Sequence, residues 1–222
     1  MRGVQLKMEP IKTLCADPPW PFGDKLPGPS RGSAKNYDLM DLNDIKAFLD
    51  STSISGGEVY DGGNVPDVNR SIRECLAPDC RLFLWRVASM QEEALEVMQA
   101  WGFQLKTEIV WVKTSKATDL QPDAKELGEN DKLHFGMGRT VRMSHETCLI
   151  GVRGKPDLLS RAVRSIFFAP YVKHSAKPEI FADIVEKLSP GPYLELFARR
   201  IRPKWTCLGN EIQSHTRRGM RG

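Results

Sequence analysis

Ile11-Lys12-Thr13-Leu14-Cys15-Ala16-Asp17-Pro18-Pro19-Trp20 is a short apolar run that ends on an acid, two prolines and a tryptophan. Such a run reads as a buried strand, and the prolines, which lack a backbone N–H, forbid its continuation. Downstream, residues 18–37 hold five prolines and three glycines and read as a loop. Leu42, Ile45, Phe48 and Leu49 then follow helical spacing behind Asp41, a predicted N-cap. Residues 51–69 are rich in Gly, Ser and Asp and read as a long insertion, followed by a short helix over 69–76.

The same alternation continues to the end of the chain. Arg81–Trp85 is a predicted strand, and Met90–Trp101 an amphipathic helix closed by Gly102. Phe103–Val112 is a further strand, whereas residues 113–143, with Pro122, Gly128, Gly136 and Gly138, break the pattern and read as a second long loop. Strands are expected at Thr147–Val152, Ser165–Phe168, Tyr193–Phe197 and Trp205–Leu208. A helix is expected over Lys177–Leu188, with Ile180, Phe181, Ile184, Val185 and Leu188 on one face. Short buried strands interspersed with helices predict an α/β fold around a mostly parallel sheet. In such sheets ligands sit at the carboxyl ends of the strands, and Asp17, Arg86, Lys113 and Arg199 each follow a predicted strand. The expected organisation is one domain over 1–222, with long loops at about 21–36, 51–69 and 113–143 and a basic tail over 213–222.

Composition narrows the class. At 222 residues, 41% hydrophobic and 27% charged, the chain reads as an ordinary globular protein. It has no apolar run long enough for a membrane span, and its first residues lack the apolar core of a signal peptide. Five cysteines, an odd number without a CxxC pair, predict reduced, buried thiols and a cytoplasmic protein. The four histidines do not pair at metal-ligand spacing, so no metal is expected. A net charge of +4 is compatible with a polyanionic partner. Basic residues cluster at Arg139, Arg142, Arg153 and Lys155, at Arg199, Arg200, Arg202 and Lys204, and at Arg217, Arg218 and Arg221; such runs are more often solvated faces.

Asp17-Pro18-Pro19-Trp20 suits one chemistry in particular. The exocyclic amine of adenine has its lone pair delocalised into the ring and attacks electrophiles poorly. A carboxylate and a carbonyl that accept its two N–H groups favour the tetrahedral amine and stabilise the positive charge that develops. Pro18 supplies a carbonyl whose direction two rings fix, and Trp20 supplies a face on which a base stacks. On this tetrapeptide alone, a Pro-rich turn with Asp17 as a turn residue stays open.

In order along the chain stand DPPW (17–20), a tyrosine with a short helix (37–49), FLW (83–85), EIVWVKT (108–114) and Gly138-Arg139-Thr140. HETCLIGVRG (145–154), SAKPEIF (175–181), LSPG (188–191), ELFARR (195–200) and WTCLGNE (205–211) complete the series. This series resembles the adenine N6-methyltransferase family that includes the catalytic subunit of the eukaryotic messenger-RNA methyltransferase and many short bacterial and phage enzymes. The similarity runs from about Ile11 to Ile212. It implies a Rossmann-like, S-adenosylmethionine-dependent methyltransferase fold with permuted motif order, DPPW preceding the cofactor segment. Only sixteen residues precede Asp17, too few for an upstream cofactor half, so Leu194-Glu195-Leu196-Phe197 is the expected cofactor strand.

The resemblance assigns catalysis to Asp17, Pro18, Pro19 and Trp20. For S-adenosylmethionine it implies Lys177, Phe197, Arg199, Asn210 and Glu211, with Asp17 at the edge; Lys177 would pair with the methionine carboxylate, and Asn210 and Glu211 would bond the ribose hydroxyls. Each also has a structural alternative: solvent lysine, core phenylalanine, turn asparagine, surface glutamate. For the nucleic acid it points to Trp20, Tyr37, Arg139, Arg142 and Glu146, with Glu146 on the base edge. Trp85, Trp101, Trp111 and Trp205 read as core or rim aromatics. The chain departs from the family pattern at Ala198, where glycine is common, and at Ser175-Ala176-Lys177-Pro178, where a histidine usually precedes the lysine.

Three functions follow as expectations. The first is an N6-methyltransferase acting on adenine in DNA, favoured because the zinc-finger and helical regions that accompany the eukaryotic RNA enzymes do not occur in this sequence. The second is an adenosine N6-methyltransferase acting on RNA, and the third a non-catalytic nucleic-acid-binding partner subunit, which would have no need of an intact DPPW. Monomer, homodimer and pairing with a related subunit are all open, with the 113–143 loop a candidate interface.

Overall fold

The computed structural model describes residues 9–21, 39–54, 70–115, 132–136, 140–171 and 177–209. In chain order the elements are β1 (Ile11–Ala16), α1 (Leu42–Ser51), α2 (Ile72–Cys75), β2 (Leu76–Arg86), α3 (Gln91–Ala100) and β3 (Gln104–Thr114). They continue with β4 (His145–Arg153), β5 (Ile166–Pro170), α4 (Ile180–Leu188), β6 (Tyr193–Leu196) and β7 (Trp205–Leu208). The strands form one seven-stranded sheet in the order β5-β3-β4-β2-β1-β6-β7. β1 is parallel to β2 and β6, β6 to β7, and β3 to β5; β4 alone runs against its neighbours β2 and β3.

Both faces of the sheet are covered, which is why its strands read as apolar runs rather than as alternating polar and apolar residues. Leu14, Ala16, Leu82, Leu84, Leu149, Leu194 and Leu196 pack with residues of α1 and α3. Their sequence neighbours Cys15, Phe83, Trp85, Cys148 and Ile150, with Cys207, pack with Phe181, Ala182, Ile184 and Val185 of α4. Trp85, Trp101, Trp111 and Trp205 lie in these cores, and all five cysteines are buried and free. Asp41 caps α1 by accepting the Asn43 N–H at 2.8 Å, and Gly102, at φ +83°, closes α3.

Most boundaries shift by a residue or two from the sequence reading, and three of the differences bear on the fold around the site. β2 starts at Leu76, which leaves the preceding helix only Ile72–Cys75; its pairing with β1 shifts register between Ile11 and Thr13, and Pro78 and Asp79 lie in the shifted stretch. α4 starts at Ile180 rather than Lys177, because Pro178 disfavours helical geometry in the residue before it. Instead Phe181 N–H donates to the Pro178 carbonyl and Ala182 N–H to that of Glu179, two tight turns that lead into the helix. β3 continues to Thr114, so Lys113 lies inside the strand rather than in the loop after it.

Sheet order positions the site. From β1 the chain goes to β2 on one side, and from β6 to β7 on the other, so β1 and β6 flank a topological switch point. The crevice outside the carboxyl ends of two such strands is where α/β sheets bind ligands. Because β4 is reversed, its first residues, His145 and Glu146, stand at that same edge, paired with Val112 and Trp111 of β3.

Candidate active site

Asp17 follows directly on β1, whose last residue, Ala16, pairs with Leu196 at the end of β6. Its carboxylate accepts Lys177 Nζ at 2.6 Å. Lys177 also lies 3.2 Å from Glu146 Oε2, and the other oxygen of Glu146 lies 2.6 Å from Lys113 Nζ. Lys113, Glu146, Lys177 and Asp17 thus form a row of alternating charge along the carboxyl edge. Aromatic rings shield the cations: Lys177 sits 5.2 Å from the Trp85 ring centroid, and Lys113 5.1 Å from that of Trp111 and 5.2 Å from that of Tyr171. Side-chain exposures between 11% and 28% leave the row only partly solvated, so every charge depends on its neighbours.

The protonation states follow from this packing. Burial pushes the Glu146 carboxyl up, but Lys177 and Lys113 outweigh it and hold the group below the usual carboxylate range. Burial pushes the Lys177 ammonium down, but Asp17 and Glu146 outweigh it and hold it above the usual lysine range. Both groups are charged at neutral pH. On β6, burial pushes the Glu195 carboxyl up; Arg202 and Arg200 counter this only in part, and it stays above the usual range.

The proline corner is held by backbone bonds. Trp20 N–H donates to the Pro18 carbonyl at 2.9 Å across a three-residue turn, and Met40 N–H donates to the Pro19 carbonyl at 2.9 Å. The Pro18 oxygen therefore keeps one lone pair for a substrate amine rather than both. Trp20 departs from its expected role. It is 2% exposed within the core shared with α1 and α3, and its indole N–H donates to the Trp85 carbonyl at 3.0 Å. Its ring braces the corner from below and offers no open face to a base, because the apolar surface under the loop is large enough to bury an indole whose one donor is satisfied.

The β6–β7 connection supplies the other wall. Phe197 adopts φ +59°, unusual for a non-glycine residue, and its ring packs on Phe48 at 4.5 Å. Ala198 N–H donates to the Leu208 carbonyl at 2.9 Å, and a Cβ on Gly209 would fall 2.1 Å from the Ala198 oxygen, so only glycine permits this closure. Arg199 is half-buried in the same connection. Arg200 donates to the Lys177 carbonyl and to Glu179 Oε1, both at 3.0 Å, and Arg202 donates to the Glu179 carbonyl at 3.2 Å. These two arginines, visible in the sequence only as part of a basic run, clamp the backbone that carries Lys177.

Arg142 places its guanidinium 5.0 Å from the Phe135 ring centroid on the segment before β4. Tyr37, Arg139, Asn210 and Glu211 lie outside the described residues, as does most of the loops at 21–36 and 51–69 and all of the 213–222 tail. The structure therefore brings together Asp17, Glu146, Lys177 and, on the adjoining connection, Phe197 and Arg199. Sequence reasoning placed Lys113 after a strand, where ligands sit, but made it no site residue, and it read Arg200 and Arg202 only as part of a basic run. At the same edge Arg86 Nε and Gln91 Oε1 are buried without a hydrogen-bond partner among the described residues. Such orphaned polar atoms, on the edge that also carries a Lys–Asp pair complementary to an amino-acid zwitterion, fit a polar ligand of the S-adenosylmethionine kind. Among the described residues no group of three or more His, Cys, Asp or Glu is arranged to hold a metal ion, and no helix is long and apolar enough to cross a membrane.

Comparison with known proteins gives the site its context. The family model described as MT-A70 matches residues 68–211. The chain is 27% identical over 203 residues to the N(6)-adenosine-methyltransferase MT-A70-like protein of Drosophila melanogaster, which covers 90% of this chain and 26% of that protein. It is 30% identical over 141 residues to the N(6)-adenosine-methyltransferase catalytic subunit METTL3 of Homo sapiens, covering 62% of this chain and 22% of that protein. Type II methyltransferase M.MunI of Mycoplasma sp is 26% identical over 213 residues, covering 94% of this chain and 80% of that protein. The chain thus spans about a quarter of the length of the first two relatives and most of the third.

Proposed function

The chain belongs to the MT-A70 family, and from that premise we propose that it transfers a methyl group from S-adenosylmethionine to the N6 amine of adenine in nucleic acid, DNA in preference to RNA. The observation that carries this reading is the Asp17 carboxylate held by Lys177 at the switch point between β1 and β6. The preference for DNA rests on the likeness to the type II methyltransferase, 26% identical over 94% of this chain.

When bound, S-adenosylmethionine supplies the electrophilic methyl group. Lys177, Asp17, Phe197 and Arg199 would hold its amino-acid end and the approach to it, and Asn210 and Glu211 would hold its ribose hydroxyls. Asp17 and the remaining lone pair of the Pro18 carbonyl accept the two N–H groups of the target amine, which pyramidalises the nitrogen and stabilises the charge it acquires. The amine loses one proton on methylation, and Asp17 is the acceptor beside it. Glu146 holds Lys177 in place and faces the base edge. Tyr37, Arg139 and Arg142 contact the nucleic acid around an adenine that has left its stack.

The test offers labelled S-adenosylmethionine to duplex DNA, single-stranded DNA and RNA in parallel and identifies the modified base. N6-methyladenine in DNA is the expected product. Asp17→Ala should abolish transfer yet leave cofactor binding measurable by calorimetry; retained transfer in that variant rejects the assignment. A wild-type chain that binds no cofactor would instead be a non-catalytic partner subunit.

A further inference from the structure

Between β3 and β4, the described residues 132–136 and 140–144 form a short finger laced to the end of β3 by backbone hydrogen bonds. Ser115 N–H donates to the Lys132 carbonyl at 2.7 Å and His134 N–H to the Lys113 carbonyl at 2.8 Å. Lys113 N–H in turn donates to the Ser144 carbonyl at 2.8 Å, and Ser144 Oγ to the His134 carbonyl at 2.7 Å. Gly136 N–H meets the Met143 carbonyl at 3.2 Å, where a Cβ on Gly136 would fall 2.3 Å from that oxygen. The His134 ring stacks on Tyr171 at 4.1 Å. The finger is thus rooted on Lys113 and lies next to Glu146, at one end of the charged row.

On this finger Phe135 is 75% exposed and carries the Arg142 guanidinium on its ring. A phenyl group held open to solvent gains nothing for the fold, since burial is what makes such a ring stabilising. An aromatic face joined to a guanidinium is the pair of groups that single-stranded nucleic acid uses: a base stacks on the ring and a phosphate pairs with the arginine. Charge agrees, because Lys132 and Arg142 place two cations on these stretches. An apolar protein partner that covered Phe135 would also have to desolvate the guanidinium lying on it.

We propose that Phe135 and Arg142 form a stacking subsite for the nucleotide next to the target adenine, its base on the open face of Phe135 and its phosphate on Arg142. The subsite rests on the methyltransferase reading above. Extruding one base strips its neighbour of a stacking partner, and the Phe135 ring replaces it.

The test measures binding of a fluorescently labelled single-stranded DNA oligonucleotide with one central adenine, for wild type, Phe135→Ala and Phe135→Trp. Phe135→Ala should weaken binding roughly tenfold and Phe135→Trp should retain it, with S-adenosylmethionine affinity and melting temperature unchanged in both. An oligonucleotide abasic at the position beside the adenine should weaken wild type by the same factor and leave Phe135→Ala no weaker than before. Equal affinity of wild type and Phe135→Ala overturns the subsite while leaving the methyltransferase reading intact. A change of sedimentation from dimer to monomer in Phe135→Ala, with oligonucleotide affinity kept, makes the finger a protein interface and also overturns it. A wild-type chain that binds no nucleic acid removes both readings.

Discussion

Lys177 Nζ lies 2.6 Å from Asp17 Oδ2 across 160 residues of sequence, and each charge is stable there because the other is present. Removing one partner of a partly buried pair leaves the other uncompensated. Lys177→Met should therefore lower stability by about 2 kcal/mol, less than for a fully dry pair because water still reaches both groups. Lys177→Arg should restore much of it. The double variant Asp17→Asn/Lys177→Met should cost less than the sum of the single changes in urea unfolding; strict additivity would mean that the two charges do not interact.

Lys113 acts on the site through Glu146. The stability contributed by Glu146, whose carboxyl is held below its ordinary range, is complete above that range and is lost as pH falls through the lowered value. Without Lys113 the value rises, so in Lys113→Met the acid loss of stability and of methyl transfer should begin at higher pH than in wild type. Lys113→Arg should restore the wild-type profile. Melting temperatures and rates between about pH 3 and 8 decide it; an unmoved acid limb in Lys113→Met would sink the idea.

Arg81 is a buried cation at the start of the apolar part of β2. Its guanidinium donates to the carbonyls of Asp157 at 2.8 Å, Leu188 at 3.2 Å and Pro156 at 3.3 Å, and so satisfies the C-terminal end of α4. Arg81→Met strands these acceptors, and chemical denaturation should show a loss of about 2–4 kcal/mol with S-adenosylmethionine affinity nearly unchanged at temperatures where the variant is folded.

Gly209→Ala should do the reverse in scope. Its new methyl group would press on backbone, the Ala198 oxygen at 2.1 Å, and backbone cannot rotate away as a side chain can. A stability cost of about 2 kcal/mol or more is expected from the overpacking, accompanied by weakened cofactor binding in calorimetry because Phe197 and Arg199 move with Ala198. Cofactor affinity equal to wild type would show that this closure does not shape the pocket.

Much of the architecture was legible along the chain because it rests on local rules. The Ile11–Ala16 run ending at two prolines, the Asp41 cap and the Gly102 stop each act within a few residues, and each stands where the pattern placed it. The differences came from two sources, a distant group and a neighbour whose effect the helical spacing hid. Trp20 has the composition of a stacking platform, yet the Trp85 carbonyl and the apolar surface of α1 and α3 take it into the core. Lys177 has helical spacing to Ile180 and Phe181, yet its own neighbour Pro178 keeps it ahead of the helix, and Arg200, distant in sequence, donates to its carbonyl.

The amino-acid order by itself settled the alternation of strands and helices, the burial of both sheet faces and the position of an acid-proline-proline corner at a strand end, since periodicity, capping and the missing proline N–H are properties of neighbours. Only the folded sheet decided which charges meet at that corner. The reversal of β4 carries Glu146 to the edge where β1 and β3 end, and the return of the chain after β5 delivers Lys177 between it and Asp17. Ion pairing depends on distance in space, and the spacing of residues along a chain does not encode the order in which its strands lie side by side.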